Sequence, residues 1–526
     1  MNTRQLVTAF KRHGLSINAA ALALLQSSLK EVEGGDAAEF VNSLLLSIDK
    51  PSLTSSVIEE ATLQKLLDGI KGQQNVDIAQ EAFKVIGAFD FPHFDYNTNR
   101  KCFEPSEEES PSIHGEPEAK SALFKERWWR VYQKVLRHFA KQQQEQNLLP
   151  VESLIGRSGA KCFVVGLLSH IGDNYCLEDP TGAVPIDLSN VTLEDGFLTE
   201  GSIVVVEGTV LDGKLLARIV RQPPIEGTKE SCRLFGPDTD YFGGAPPQRL
   251  QKKLQRYKEQ QANDMWVILS NVSLDQPSVF ERLETLFSAY ASMEPPPPVF
   301  VLMGNFISRP KSSSLSFQQQ VQHTNADSWH SLSHCFEQLA QLICNYPSLV
   351  RQSRFVFVPG PKDPGLGGSH VLPRPALPPS ICQKLRARVP GAVFTTNPCR
   401  IRYCEQEIVI FREDLVNKLR RHSVLEDPNG SNDTMEHKMF CTLLGQATMC
   451  PLSLMVRPVY WKYDFALGLY PVPDMFLMAD DGTNLTETTM AGCNCVSLAS
   501  FDPSFSFVVY RPSLRQVEFS QLPKQL

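Results

Sequence analysis

Residues 354–368, RFVFVPGPKDPGLGG, constrain this chain more than any other stretch. The run FVFV is aromatic and β-branched, which favours a buried strand. It stops at PGPKDPG, a turn built of proline and glycine with one cation and one acid. Two earlier stretches repeat the shape: MWVILSNVSLD at 265–275 and VFVLMGNFISRP at 299–310 are each an apolar strand ending in a short polar loop. An α/β protein gathers its ligands along one sheet edge with core strands that end this way.

The strand ends are short of ligands. A two-metal phosphoesterase needs carboxylates and imidazoles there, to offset two dications and acidify a bridging water. Its usual patterns are Asp-x-His, Gly-Asp-x-x-Asp, Gly-Asn-His-(Asp/Glu) and a later Gly-His-x-His. The corresponding positions read Asn271-Val272-Ser273, Gly304-Asn305-Phe306-Ile307-Ser308, Gly360-Pro361-Lys362-Asp363 and Met478-Ala479-Asp480-Asp481. Amides and hydroxyls replace poorly the anionic bridging ligands, and Lys362 would repel a dication. The reading is a phosphoesterase-like body whose pocket is vestigial: Asn271, Ser273, Asn305, Ser308, Lys362, Asp363 and Asp480. No residue is assigned as catalytic, metal-binding or cofactor-binding, and no cofactor is expected.

Bulk properties set the frame. A chain of 526 residues is too long for one core, so two to four domains are expected. A formal net charge of −7 argues against a nucleic-acid binder that works through a general basic surface. The thirteen cysteines are scattered and odd in number, and MNTRQLVTAFKRHG lacks the apolar run of a signal peptide. Reduced thiols in an intracellular protein are the expectation. No apolar run reaches the length of a membrane span.

Along the chain, residues 1–75 carry helical apolar stripes broken by Gly34-Gly35, Pro51 and Gly72, as in a small helical bundle. Residues 76–149 read as linker and connecting helix. FDFPHFDYNTNRKCF is aromatic and suited to lie along another surface; EPSEEESPSIHGEPE is acidic and Pro/Ser-rich. The helix that follows carries Trp128 and Trp129, which serve either as a partner anchor or as core of the next domain. Residues 150–226 hold five or so short strands with turns at Gly172-Asp173, Pro180-Thr181-Gly182 and Asp212-Gly213, the pattern of an OB barrel. Few aromatics and several acids favour protein docking over single-strand binding for this barrel. Residues 227–526 alternate strands and helices at 265–270, 277–291, 298–303, 328–345, 354–358, 379–388 and 392–396, with a helix at 247–262 leading in. The later apolar runs EIVIF, MFLMA, NCVSLASF and FSFVVY are expected to supply a second sheet. The loops 310–326 and 426–434 are expected to be mobile.

Other motifs carry little. Residues 208–214, GTVLDGK, match the first seven positions of a P-loop, but Leu215 stands where Ser or Thr should hold magnesium, and Asp212-Gly213 reads as a turn between strands. His330 and His334 lack the glutamate of H-E-x-x-H. Cys493 with Cys495, and Cys399 with Cys404, lack a second pair at zinc spacing.

The motifs FVFVPGPKDPG, LPRPALP, VFTTNPCRIRYCEQEIVIFREDLVNKL and VYWKYDFALGLYPVPDMFLMAD strongly resemble the B subunits of eukaryotic replicative DNA polymerases, the epsilon branch in particular. NYCLEDPTGAVPIDLS is similar to that family's OB domain, and YFGG to its junction into the phosphoesterase domain. IGAFDFPHFDYN and the helices before it resemble the epsilon form. The departures, SNVSLD with Asn for an Asp that relatives can keep and CVSLASF for a Pro-Gly-Ser turn, move further from a working metal site.

The resemblance implies a multidomain α+β chain: an N-terminal helical bundle similar to the lid of AAA+ ATPases, an OB β-barrel, and a calcineurin-like phosphoesterase α/β sandwich lacking its metal ligands. It also implies a nuclear, non-catalytic subunit. The implied partners are the zinc-bearing C-terminal region of the DNA polymerase epsilon catalytic subunit, the GINS complex of the replicative helicase through the N-terminal domain, and the small histone-fold subunits of the same holoenzyme. DNA contact would be indirect or weak, and no membrane is involved. The alternatives are a metal-dependent phosphodiesterase or nuclease, which needs two bound metals, and an OB-based single-strand binder, whose affinity would fall steeply with salt.

Overall fold

The apolar runs at 265–275, 299–310 and 354–368 become neighbours in one sheet. The computed structural model describes Leu6 and residues 16–18, 21–26, 57–58, 63–64, 78–107, 111–141, 148–236, 239–246, 250–308, 317–365, 370–425 and 433–523, the side chains of 317–328 excepted. Residues 1–83 with 246–257 form one unit, and 84–245 with 258–526 another. The helical bundle expected over 1–75 lies largely outside the described residues. What is described there includes helix at 21–26 and a parallel pairing of Ser16–Ile17 with Val57–Ile58, so this stretch is not purely helical.

In the larger unit, Trp266–Leu269, Val299–Met303, Arg354–Val358 and Ala392–Phe394 run parallel and side by side. Every residue of the first two strands is buried. That is why their sequences are continuous rather than alternating: both faces of a parallel sheet are covered. The connecting helices are Pro277–Ala291, Phe317–Cys344, Pro347–Gln352 and Pro379–Arg388. Three of the four place proline in the first turn, where its missing N–H has no helical partner to lose. Phe287, Phe300, Phe336, Phe355 and Phe357 fill the layer between helices and sheet. The long helix begins at Phe317, ahead of the expected 328, because glutamines at 318–320 are good helix formers. Residues 317–326 therefore are not the loop expected at 310–326; the rest of that loop and residues 426–432 lie outside the described residues.

The second six-stranded sheet runs in the order Thr486–Met490, Cys493–Leu498, Met475–Ala479, Gln406–Arg412, Cys399–Tyr403 and Phe83–Gly87. Two expectations are corrected here. FSFVVY does not join this sheet: Ser506–Arg511 pairs antiparallel with Trp266–Leu269 in the first one, and Gln516–Gln521 follows as its edge. The linker reading of 76–149 misses the strand Phe83–Gly87 and a hairpin of Phe94–Asn97 with Cys102–Pro105. An apolar run states that it is buried; which sheet buries it is a long-range choice. Trp266 meets Tyr403 edge-on at 5.3 Å, one contact across the two sheets.

Residues 161–221 close into a five-stranded barrel. Lys161–Ile171, Asn174–Asp179 and Gly182–Asp187 meander; Lys214–Arg221 pairs with Gly182–Asp187 on one side and with Ile203–Leu211 on the other; Ile203–Leu211 returns to Lys161–Ile171. Asp212 and Gly213 have φ of 48° and 76°, the left-handed pair of a tight hairpin turn. No helix follows them, so the P-loop match is spurious. Inside lie Val164, Leu168, Leu177, Val204, Val206 and Val220.

The helix Pro117–Lys141 lies against the outside of this barrel. Trp128, Val131 and Val135 pack on Val165, Ile203 and Val205. Trp128 is thus core, and Trp129 stacks on Tyr96 of the aromatic hairpin, with centroids 6.0 Å apart. The same helix reaches the two-sheet body: Arg127 forms a buried pair with Asp464, and Arg137 forms two bonds to Glu226 at 2.8 and 2.7 Å.

Barrel and body share a buried polar seam. Gln446 Nε2 donates to Ile203 O at 2.7 Å and to Gln222 Oε1 at 2.8 Å, while its Oε1 accepts from Ile203 N at 2.8 Å. Thr199 Oγ1 donates to Pro451 O at 2.6 Å. Gln446→Leu strips both backbone groups of Ile203 of these partners, and a stability loss of ~2–3 kcal/mol is expected. Urea denaturation measures it; a loss below ~0.5 kcal/mol would show that the seam does not depend on this amide. No described helix is long and apolar enough to cross a membrane.

Candidate functional site at the strand ends

The loops after the three parallel strands converge, and backbone approach sets how closely. Gly304 N donates to Val358 O at 2.8 Å. A methyl group on Gly304 would collide with the Asp363 carboxylate and with Gly360 N, 2.6 Å away. Only glycine lets these two loops meet. Asn271 sits at φ 54°, a left-handed conformation that asparagine tolerates better than most residues.

These loops bring Asn271, Asn305, Lys362 and Asp363 together. Asn305 N donates to Asn271 Oδ1 at 3.1 Å, and Lys362 N donates to Asn305 Oδ1 at 2.8 Å. Asp363 is buried, and backbone donors occupy both of its oxygens: Phe306 N on Oδ1 and Gly360 N on Oδ2, each at 2.7 Å. Burial pushes its carboxyl up to about 6, against the pull of those two N–H groups and of Arg412 and Arg374.

The other three predicted positions are engaged differently. Asp480 accepts from Val416 N at 2.8 Å and Gly482 N at 2.7 Å, and its carboxylate closes the start of the helix Val416–Arg421. Ser308 is tied to Asp275 and accepts from Gln276 Nε2 at 2.6 Å. Ser273 donates its backbone N–H to Asn271 O at 3.0 Å.

Sequence reasoning missed the residue at the centre. Arg412 ends the strand Gln406–Arg412 and is fully buried. Its Nε donates to Asn271 Oδ1 and to Gly304 O, both at 2.8 Å, and its Nη2 also reaches Asn271 Oδ1. Nη1 donates to Asp414 Oδ1 at 2.7 Å and to Ala479 O at 3.3 Å; Nη2 donates to Asp481 Oδ1 at 2.9 Å. Lys362 Nζ sits 3.0 Å from Asp481 Oδ2 and 3.8 Å from Asp414 Oδ2. Burial would raise Asp414, but the Arg412 guanidinium holds its carboxyl below the usual range. Three charges directly behind the apolar run 408–411, Arg412-Glu413-Asp414, were the available signal: buried charges need partners, and these fall at a ligand-gathering edge.

A second charged knot adjoins it. Glu413 is fully buried and accepts from Arg457 Nη2 at 2.7 Å, from Lys418 Nζ at 2.6 Å and from Arg374 Nη2. Burial works to raise this carboxyl, yet Arg374, Arg457 and Lys418 outweigh it and hold it at about 2. Backbone donors thus occupy both oxygens of Asp363, and arginine and lysine donors both oxygens of Glu413, so neither carboxylate has an oxygen free of a donor.

Comparison with known proteins accords with this architecture. The family described as the B subunit of DNA polymerases alpha and epsilon matches residues 266–486. The family described as "DNA polymerase epsilon subunit 2-like, OB-fold domain" matches residues 117–224, which begins with the helix that packs on the barrel. The chain is 37% identical to DNA polymerase epsilon subunit 2 of Mus musculus over 98% of each chain. It is 36% identical to DNA polymerase epsilon subunit 2 of Bos taurus over 98% of each chain, and 30% identical to that of Drosophila melanogaster over 99% of this chain and 98% of that one. A full-length likeness at this level, with the barrel and the strand-end crevice both inside the matched segments, makes this chain a member of the DNA polymerase epsilon subunit 2 family, the accessory B subunits of that polymerase.

Proposed function

We propose that this chain is the non-catalytic B subunit of a nuclear DNA polymerase epsilon, and that its barrel and two-sheet body together clasp the zinc-bearing C-terminal region of the catalytic subunit. The working division is an N-terminal domain at 1–75, a segment at 76–149 that supplies the strand Phe83–Gly87, the aromatic hairpin and the connecting helix, an OB domain at 150–226 and an inactive calcineurin-like phosphoesterase domain at 227–526. The N-terminal domain would tether the polymerase to the replicative helicase through GINS. The small histone-fold subunits complete the holoenzyme, and contact with DNA is indirect or weak.

The observation that carries the non-catalytic half of this reading is Arg412. A phosphoesterase fold implies two dications at these strand ends. The residues present do not fit them: the site offers the amides of Asn271 and Asn305, an Asp363 already bound by two backbone N–H groups, and the cations Arg412 and Lys362. A dication brought here would meet two positive charges whose acids are already paired. The seam through Gln446 and Thr199 supports the other half, since it presents barrel and body to a partner as one surface.

The test is co-expression of the full chain with the C-terminal region of the epsilon catalytic subunit. A stable complex without manganese-dependent hydrolysis of a phosphodiester is expected. No complex, together with such hydrolysis, would mean that the strand ends are a working enzyme.

A further inference from the structure

Away from the strand ends, the described residues bring one set of ligand-type side chains within reach of a shared ion. The ligand atoms of His93, Asp95 and Glu126 all lie within 4.8 Å of one another. His93 directly precedes the strand Phe94–Asn97, Asp95 lies in it, and Glu126 lies on the helix Pro117–Lys141.

The two edges that meet at His93 have the length of a coordination tetrahedron's. His93 Nε2 is 3.5 Å from Asp95 Oδ1 and 3.4 Å from Glu126 Oε2. With metal–ligand bonds of about 2.1 Å, the edge of a tetrahedron is about 3.4 Å. The imidazole is also held in place, because it stacks on Phe465 at 4.1 Å and 12° with its edge toward the two acids. Two carboxylates this close repel each other unless a cation lies between them. The buried Arg130 feels both Glu126 and Asp95 and offsets part of their charge, which suits one dication rather than two. One imidazole and two carboxylates favour a borderline ion such as zinc over calcium or magnesium, which seek all-oxygen shells.

We propose that His93, Asp95 and Glu126 form a binding site for one zinc-class divalent ion, with its fourth position open to water at the half-exposed Asp95. Bound there, the ion fastens the aromatic hairpin to the helix that carries the barrel. The site is independent of the strand-end crevice and of any zinc on a partner.

The test uses the full chain, reduced, stripped with a chelator and titrated with zinc by calorimetry and with cobalt by absorption. One equivalent of zinc is expected, with a higher Tm. The cobalt spectrum should show visible bands without the thiolate charge-transfer band that binding at any of the thirteen cysteines would add. His93→Phe keeps a ring against Phe465 and removes the ligand; it should weaken zinc binding by at least about tenfold and abolish the zinc-dependent rise in Tm. Glu126→Gln and Asp95→Asn, at more exposed positions, supply the same reading if His93→Phe does not fold. Wild-type protein that binds no zinc, a thiolate band, or variants that bind as the wild type does would overturn the site, leaving a plain charge pairing of His93 with its acids.

Discussion

Arg412→Met is expected to lower stability by ~3–5 kcal/mol, the range for breaking a buried charged network by removing one partner. The methionine fills the volume but donates nothing. Asn271 Oδ1, Gly304 O and Ala479 O lose a donor inside the fold, and Asp414 and Asp481 lose the cation between them. For a unit of this size the shift in Tm is roughly 3–6 °C, since each residue contributes about 2 cal/mol/K to the unfolding entropy. Arg412→Lys should recover only part of it, because a single ammonium cannot reach three carbonyl-type oxygens and two carboxylates as a planar fork does. Thermal and urea denaturation of the three proteins decide the matter. A loss under ~1 kcal/mol for the methionine variant would show that the loops pack without the guanidinium, and that Arg412 does not stand in for an ion.

Glu413→Gln should be nearly as damaging at neutral pH, about 3–5 kcal/mol, because Arg374 and Arg457 remain buried without their counter-charge. Here pH gives a second, independent reading. The folded-state carboxyl is depressed to about 2, below its ordinary value of 4.5. A depressed carboxyl contributes stability that is fully present above the unfolded value and is lost as pH falls through the folded one. The gap between wild type and Glu413→Gln should therefore hold from pH 7 to about 5 and narrow by ~2 kcal/mol by pH 3, at 1.36 kcal/mol per unit. Chemical denaturation at pH 7, 5 and 3 measures the gap. If it were as wide at pH 3 as at pH 7, Glu413 would not be the charged centre of this knot.

Under the function proposed above, these two residues explain how the body of a metal-dependent enzyme can be kept while its ligands are exchanged. Loops that meet as closely as those at Gly304 and Gly360 need a cation or a dense set of donors at their junction. Arg412 supplies both from the neighbouring sheet.

Local chemistry determined much of this in advance. Pro277–Ala291, Arg354–Val358 and Pro379–Arg388 fall where periodicity and the flanking prolines put them, since a helix start and a strand end are decided within a few residues. The barrel strands were legible from alternation and from turns such as Asp212-Gly213. Tertiary structure alone decided the rest. Nothing local assigns Ser506–Arg511 to the first sheet or Phe83–Gly87 to the second, because a buried strand's pattern does not name its neighbour. Nothing near Trp128 reveals that strands of the barrel cover it. Asn271 and Arg412 stand 141 residues apart, and His93 and Glu126 33 apart. A buried charge must find a partner, but desolvation demands only that one exist; the packing of sheets far apart in sequence chooses which residue it is.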